Sequence, residues 1–220
     1  MTALAPRLYV DSADVERVSA LLEAGVVHGV TTNPTILERG GRTAGEIPEL
    51  YARWQSEGAR EIFFQTWGAD TASFLRNAEG ILTLGDRVAV KVPATRDGFA
   101  AASALVRDGA TVLVTAVYSV AQALACASIG AQYIAPYLGR MRDAGIDGDA
   151  VIAEMQAVCA GSDSNVLAAS LRSPDDITGL RLAGVPYFTA APDVIEQMLF
   201  HDVSESSAAE FDATMVRLGA

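Results

Sequence analysis

Cysteine and histidine are scarce in this sequence, with two of each among 220 residues. Cys126 and Cys159 fall in helix-like stretches without metal-ligand spacing, and a disulfide framework needs more cysteines at regular intervals. They read as packed thiols. His28 and His201 stand alone on the chain, without a His/Cys/Asp/Glu ligand cluster around them. That pattern points to no metal site, and no cofactor is expected. Positive charge is also short, with 16 Lys and Arg against 27 Asp and Glu, a net charge of -11 and a pI near 4.5. That balance opposes nucleic-acid or anionic-membrane partners, which want a basic footprint. An anionic substrate would have to find a local cluster of cations.

No apolar run approaches the roughly 18 residues of a membrane span, and residues 1–6 have neither a basic nor an apolar leader region. The expectation is a soluble cytoplasmic protein. No linker or composition break divides the chain, so residues 1–220 are expected to form one domain, and 50% hydrophobic content suffices for a substantial core.

What is there centres on Val88-Ala89-Val90-Lys91-Val92-Pro93-Ala94. A lysine inside a β-branched apolar run is out of place, because burying an ammonium group is costly unless the site pairs it or strips its proton. An edge-strand lysine with its head in water is the bland explanation. The other is chemical: apolar walls depress the pKa, keep part of the amine neutral, and make it a nucleophile toward a ketone.

The surrounding pattern helps to choose. Strands are expected over residues 7–12, 26–33, 60–67, 87–94, 111–119, 132–139, 165–172 and 185–190. Helices are expected over 13–24, 47–57, from 70 or 71 to 82, 98–107, 120–129, from a cap at Asp149 to 160, from Pro174, over 192–200, and over 207–218. Pro34 should stop the second strand, with a Gly40-Gly41 connection after it. Eight strand-then-helix units of about 20 to 30 residues suit a (β/α)8 TIM barrel with an additional C-terminal helix. An open doubly wound sheet competes less well, since no G-x-G-x-x-G follows any strand.

Active sites of such barrels lie where the strands end. Asp11 closes the first strand, Thr32 and Asn33 the second, Gln65 the third, Thr115 the fifth, Tyr137 and Arg140 the sixth, and Ser170 and Arg172 the seventh. Each alone has an ordinary explanation as a cap, turn, core or solvated residue. Their shared position around Lys91 is better explained by one pocket.

Five segments, Thr31-Thr32-Asn33-Pro34, Val90-Lys91-Val92-Pro93, Thr115-Ala116-Val117-Tyr118-Ser119, Ala135-Pro136-Tyr137-Leu138-Gly139-Arg140 and Ala168-Ala169-Ser170-Leu171-Arg172, closely resemble the small transaldolases and fructose-6-phosphate aldolases. The similarity runs in order from about Leu8 to the C-terminal helix. It implies a Schiff base between Lys91 and the carbonyl of a ketose phosphate. The imine is an electron sink into which the C3–C4 bond can break, with no metal required. By resemblance, Asp11 deprotonates the C4 hydroxyl, Asn33, beside Thr32, holds a donor hydroxyl, Gln65 and Thr115 position a water, and Arg140, Ser170 and Arg172 bind phosphate.

Three positions depart from the common transaldolase pattern: Gln65 where glutamate is usual, Tyr137 where phenylalanine often stands, and Ala135 where serine does. All three resemble the fructose-6-phosphate aldolase branch. An amide cannot act as a general base, so proton transfer would fall to Tyr137, which favours release of free dihydroxyacetone over strict transfer. Trp67 fits neither pattern. The resemblance also implies a homo-oligomer, as a ring through the C-terminal helix. Two alternatives stand beside this reading: a Schiff-base aldolase of different donor specificity, and a non-catalytic barrel that binds phosphosugars.

Overall fold

In the computed structural model, which describes residues 4–219, eight parallel strands close into a barrel in chain order. Residues 1–3, part of the segment read above for a leader, and residue 220 lie outside the described residues. The first half runs β1 (Arg7–Asp11), α1 (Val15–Glu23), β2 (Gly29–Thr31), α2 (Pro34–Arg39), a 3-10 turn (Ala44–Glu46), α3 (Ile47–Ser56), β3 (Glu61–Gln65), α4 (Thr71–Leu82), β4 (Val88–Pro93) and α5 (Arg96–Arg107). The second half runs β5 (Val112–Val117), α6 (Val120–Ser128), β6 (Tyr133–Pro136), α7 (Leu138–Asp143), α8 (Gly148–Val158), β7 (Asn165–Leu171), α9 (Pro174–Leu182), β8 (Tyr187–Ala190), α10 (Pro192–Leu199) and α11 (Asp202–Arg217). β8 pairs with β1 from Arg7 opposite Tyr187 to Val10 opposite Ala190, which closes the sheet.

Strands of a parallel barrel are buried on both faces, so their apolar runs are nearly continuous. Alternate residues divide between two cores. Val90 and Val92 of β4 point outward with Val10, Ile62 and Phe64 into the layer between sheet and helices. Ala89 points inward, where Tyr9, Phe63, Leu113, Ala135 and Leu167 fill the barrel. Lys91, two residues after Ala89, shares the inward face.

The helices begin where the sequence supplies caps. The side chains of Asp14, Asp70, Thr95, Ser119 and Ser173 accept backbone N–H groups at the starts of α1, α4, α5, α6 and α9, each cap stabilising by about 1 kcal/mol. Pro174 stands in the first turn of α9 as expected. Cys126 and Cys159 are buried free thiols, and burial pushes the Cys126 thiol up to about 12. No helix among the described residues is long and apolar enough to cross a membrane.

Several local expectations need correction. Pro34 opens a helix as well as ending a strand: Asn33 caps α2, and proline occupies its first turn. The sixth strand ends at Pro136, and Arg140 lies in α7 beyond it. Asp147 is the cap of α8, because its carboxylate and not that of Asp149 accepts the Ala150 N–H; Asp149 pairs with Arg142 instead. The C-terminal helix starts five residues earlier than expected, after His201, whose ring accepts the Val203 N–H.

Two glycines separate close packing from open surface. A Cβ at Gly98, in the first turn of α5, would sit 1.9 Å from the carbonyl oxygen of Pro93, the last residue of β4, whereas one at Gly80 of α4 would meet nothing within 4 Å. Gly98→Ala should therefore destabilise by about 1 to 3 kcal/mol, which at this size lowers Tm by roughly 2 to 12 °C. Gly80→Ala should raise stability by about 0.5 to 1 kcal/mol through helix propensity. Thermal unfolding of the two variants checks both signs.

Candidate active site

The C-terminal ends of the strands frame a cavity of about 190 Å³, walled by Asp11, Asn33, Arg39, Lys91, Tyr137, Arg140 and Ser170 together with apolar and small neighbours. Lys91 is 3% exposed, and among the described residues no ion pair includes it. It is also the chain's only lysine. Burial holds its ammonium below the ordinary lysine range, and the negative charge of Asp11 opposes that shift without cancelling it. For Asp11 burial raises the carboxyl, against the opposing effects of Lys91 and of the Thr31 hydroxyl. A buried amine made easier to deprotonate thus stands near a buried acid made easier to protonate.

Strand alternation explains which side chains meet. Lys91 lies opposite Gln65 and Asp11 opposite Thr31 in the sheet register, and alternation puts all four on the inward face. Thr31 donates to Asp11 Oδ1 at 2.6 Å. Its hydroxyl has one proton, so the 2.6 Å contact with Thr189 must be donated by Thr189. On the far side, the hydroxyls of Thr115 and Tyr137 share a 2.7 Å hydrogen bond, and Arg140 lies over the Tyr137 ring at 5.0 Å. Burial pushes the Tyr137 phenol up, while the bond from Thr115 opposes the shift.

Two strands carry irregularities beside these residues. β5 shifts register between Thr115 and Val117, and β7 between Ala168 and Leu171. Ala116 and Ser170 sit in the left-handed region there, at φ of 59° and 57°, where side-chain residues cost of order 1 to 3 kcal/mol. The turn at Ser170 brings that residue to the cavity wall. Gly139 makes the close approach of α7 possible, since a Cβ there would lie 2.7 Å from the Ser170 carbonyl oxygen.

Not every expected residue reaches the cavity. Asp11, Asn33, Lys91, Tyr137, Arg140 and Ser170 do. Gln65 and Thr115 are not among its wall residues: Gln65 is half-buried on the inward face opposite Lys91, and Thr115 is bonded to the wall residue Tyr137. Thr32 is fully buried away from the cavity, and its hydroxyl donates to the Phe63 carbonyl at 2.9 Å. Its inward neighbour Thr31 holds Asp11 instead. If Asn33 and Asp11 face inward, alternation already turns Thr32 outward.

Arg172 is not a wall residue either. It forms a two-pronged ion pair with Asp143, donating through Nη1 at 2.8 Å and through Nη2. Arg39, at the end of α2, was not anticipated because that helix was read as a glycine-rich connection. His28 lies at the opposite end of the barrel, 3.5 Å from Glu61.

The chain is similar to known proteins along nearly its whole length. The profile of the family described as Transaldolase/Fructose-6-phosphate aldolase matches residues 8–219. A protein of Hyphomonas neptunium named "Probable transaldolase" is 33% identical over 216 residues, covering 97% of this chain and 98% of its own. One of Chelativorans sp. with the same name is 33% identical over 215 residues, with the same coverage of both chains. Among solved structures, thiamine phosphate pyrophosphorylase from Pyrococcus furiosus superposes with a TM-score of 0.62 at 17% identity, covering 87% of this chain and 92% of its own, a likeness of fold alone.

The opposed shifts of Lys91 and Asp11 have a measurable sign. Competitive labelling with acetic anhydride, read on the peptide holding the single lysine, should give a titration midpoint below the ordinary 10.5. Asp11→Asn removes the charge that favours the ammonium form, so the midpoint should fall further. A midpoint that rises or stays put in the variant would disprove the coupling.

Proposed function

This chain belongs to the transaldolase/fructose-6-phosphate aldolase family, and from that premise we propose that Lys91 is the Schiff-base residue of a transaldolase-type enzyme acting on ketose phosphates. The observation that carries the proposal is the chain's single lysine, buried without an ion-pair partner in a cavity it shares with Asp11. Neutral Lys91 Nζ adds to the C2 carbonyl, and a proton delivered through the Thr115–Tyr137 hydroxyls lets the carbinolamine hydroxyl leave as water, so that a protonated imine remains. Asp11 takes the proton of the C4 hydroxyl, and the C3–C4 bonding electrons move into the imine as an enamine. An aldose phosphate leaves, with a three-carbon dihydroxyacetone unit still on the lysine.

Asn33 uses its Oδ1 to cap α2 and keeps its amide N–H₂ for a donor hydroxyl. The Thr115–Tyr137 pair handles the protons and water of imine formation and hydrolysis, with Gln65 orienting that water. Arg140 and Ser170 bind phosphate at the cavity wall. Arg172 can join them only by giving up Asp143. The enamine then attacks an acceptor aldose phosphate, or takes a proton and is released as dihydroxyacetone. The relatives' name supports transfer, while an amide at Gln65, unable to act as a base, supports release.

Two accessory proposals complete this reading. Buried free thiols suit a reducing cytoplasm. Phe211, Met215, Val216 and Leu218 of the C-terminal segment are all more than half exposed, and we assign that apolar surface to self-association, in a ring of copies. Sedimentation of a lone monomer would remove this assignment.

Incubation with fructose 6-phosphate followed by borohydride should leave a three-carbon adduct on Lys91, absent from Lys91→Met. Addition of erythrose 4-phosphate before reduction should discharge it if transfer operates, and slow spontaneous loss marks release. A folded protein that forms no adduct with any ketose phosphate disproves the Schiff-base reading.

A further inference from the structure

The lysine cavity does not end at Arg140 and Ser170. It shares Asp11, Ile36, Arg39 and Ala191 with a larger cleft of about 520 Å³ that opens between the starts of α1 and α10 and the end of α2. The two compartments adjoin at these four residues. The cations near them differ in their commitments. Arg42 pairs with Glu46 at 3.2 Å, and Arg17 with Asp193 and Glu196, each at 2.6 Å. Arg140, on the inner wall, lies over the Tyr137 ring and has no ion pair among the described residues. Arg39 is exposed, has no ion pair among the described residues, and is the one arginine that lines both compartments.

We propose that Arg39 is a second anion contact, taking the phosphate of aldose phosphates too long to end at Arg140 and Ser170, and thereby setting the chain length the site favours. The inference rests on the sugar-phosphate reading above. An aldose whose aldehyde carbon lies beside Lys91 and Asp11 carries its phosphate farther out with each added carbon. A short one ends inside the inner cavity, where Arg140 and Ser170 stand. A longer one passes Asp11 into the shared region, where a guanidinium free of carboxylates offers planar donors to phosphate. Of the arginines lining the two compartments, Arg39 and Arg140 have no ion pair among the described residues, and of these two Arg39 reaches both compartments.

The test separates length from affinity as such. Glyceraldehyde 3-phosphate and ribose 5-phosphate are titrated calorimetrically into wild type, Arg39→Gln, Arg39→Lys and Arg140→Gln. In Arg39→Gln the ratio of the ribose 5-phosphate Kd to the glyceraldehyde 3-phosphate Kd should rise roughly tenfold or more, as loss of a charge-assisted contact requires. Arg39→Lys should recover part of the change, and Arg140→Gln should weaken the short ligand at least as much as the long one. An unchanged or falling ratio in Arg39→Gln overturns the proposal, as does a wild type that binds neither aldose phosphate. Borohydride trapping of dihydroxyacetone on Lys91 in the same samples keeps the two readings apart. An adduct with an unchanged ratio overturns the role of Arg39 alone, whereas no adduct in wild type overturns the Schiff-base mechanism.

Discussion

An amine held where water cannot fully solvate it is the constraint on which the rest of the site depends. Lys91 gains no contact with Asp11 close enough to be an ion pair, so its ammonium form is supported only through space. That distance matters. A direct ion pair would favour the proton on nitrogen, while complete isolation would make the ammonium form costlier still. The barrel supplies the intermediate condition by placing Lys91 and Asp11 on strands β4 and β1, with Thr31 of β2 holding the carboxylate and Thr189 of β8 bonded to the Thr31 hydroxyl.

Local structure at the strand ends serves that site twice over. Asn33 is both the cap that starts α2 and a wall residue of the cavity, so the helix carrying Arg39 is anchored by a site residue. Ser170 reaches the wall through a left-handed backbone turn, and α7 approaches it because Gly139 has no side chain. Strain and close approach are tolerated here because the neighbouring strands are locked by a closed ladder. Fold and site are not separable at these positions.

Much of this was legible in the sequence, and the failures have identifiable causes. Continuous apolar runs at regular spacing reveal eight strands because a parallel barrel buries both strand faces. The inward face could be located at Asp11, Gln65, Lys91 and Thr115 because each is a polar interruption of such a run. Thr32 was misplaced because a motif was read as a unit when alternation divides it between two faces. α2 was missed because Pro34, Gly40 and Gly41 signal chain breaks, and a helix of only six residues fits between them. Arg172 looked free because its partner Asp143 lies 29 residues away and on another element. A further signal is compositional: the chain has one lysine, and it stands inside an apolar strand.

The two ends of the barrel show why only one is suited to chemistry. At the N-terminal end Glu61 accepts from the Tyr9 and Tyr133 hydroxyls and from Arg7 at 3.4 Å, and Arg7 also lies 5.0 Å over the Tyr187 ring. Burial and Glu61 together push the Tyr9 phenol up, so its proton stays in place. That carboxylate has donors on most of its lone pairs and closes the barrel as a finished network. Asp11, at the other end, accepts from Thr31 alone among the described side chains and opens onto a cavity. Both acids are interior, on neighbouring parts of the same fold. The difference is how many donors each has: Arg7, Tyr9 and Tyr133 at Glu61, and Thr31 by itself at Asp11, which lines the cavity.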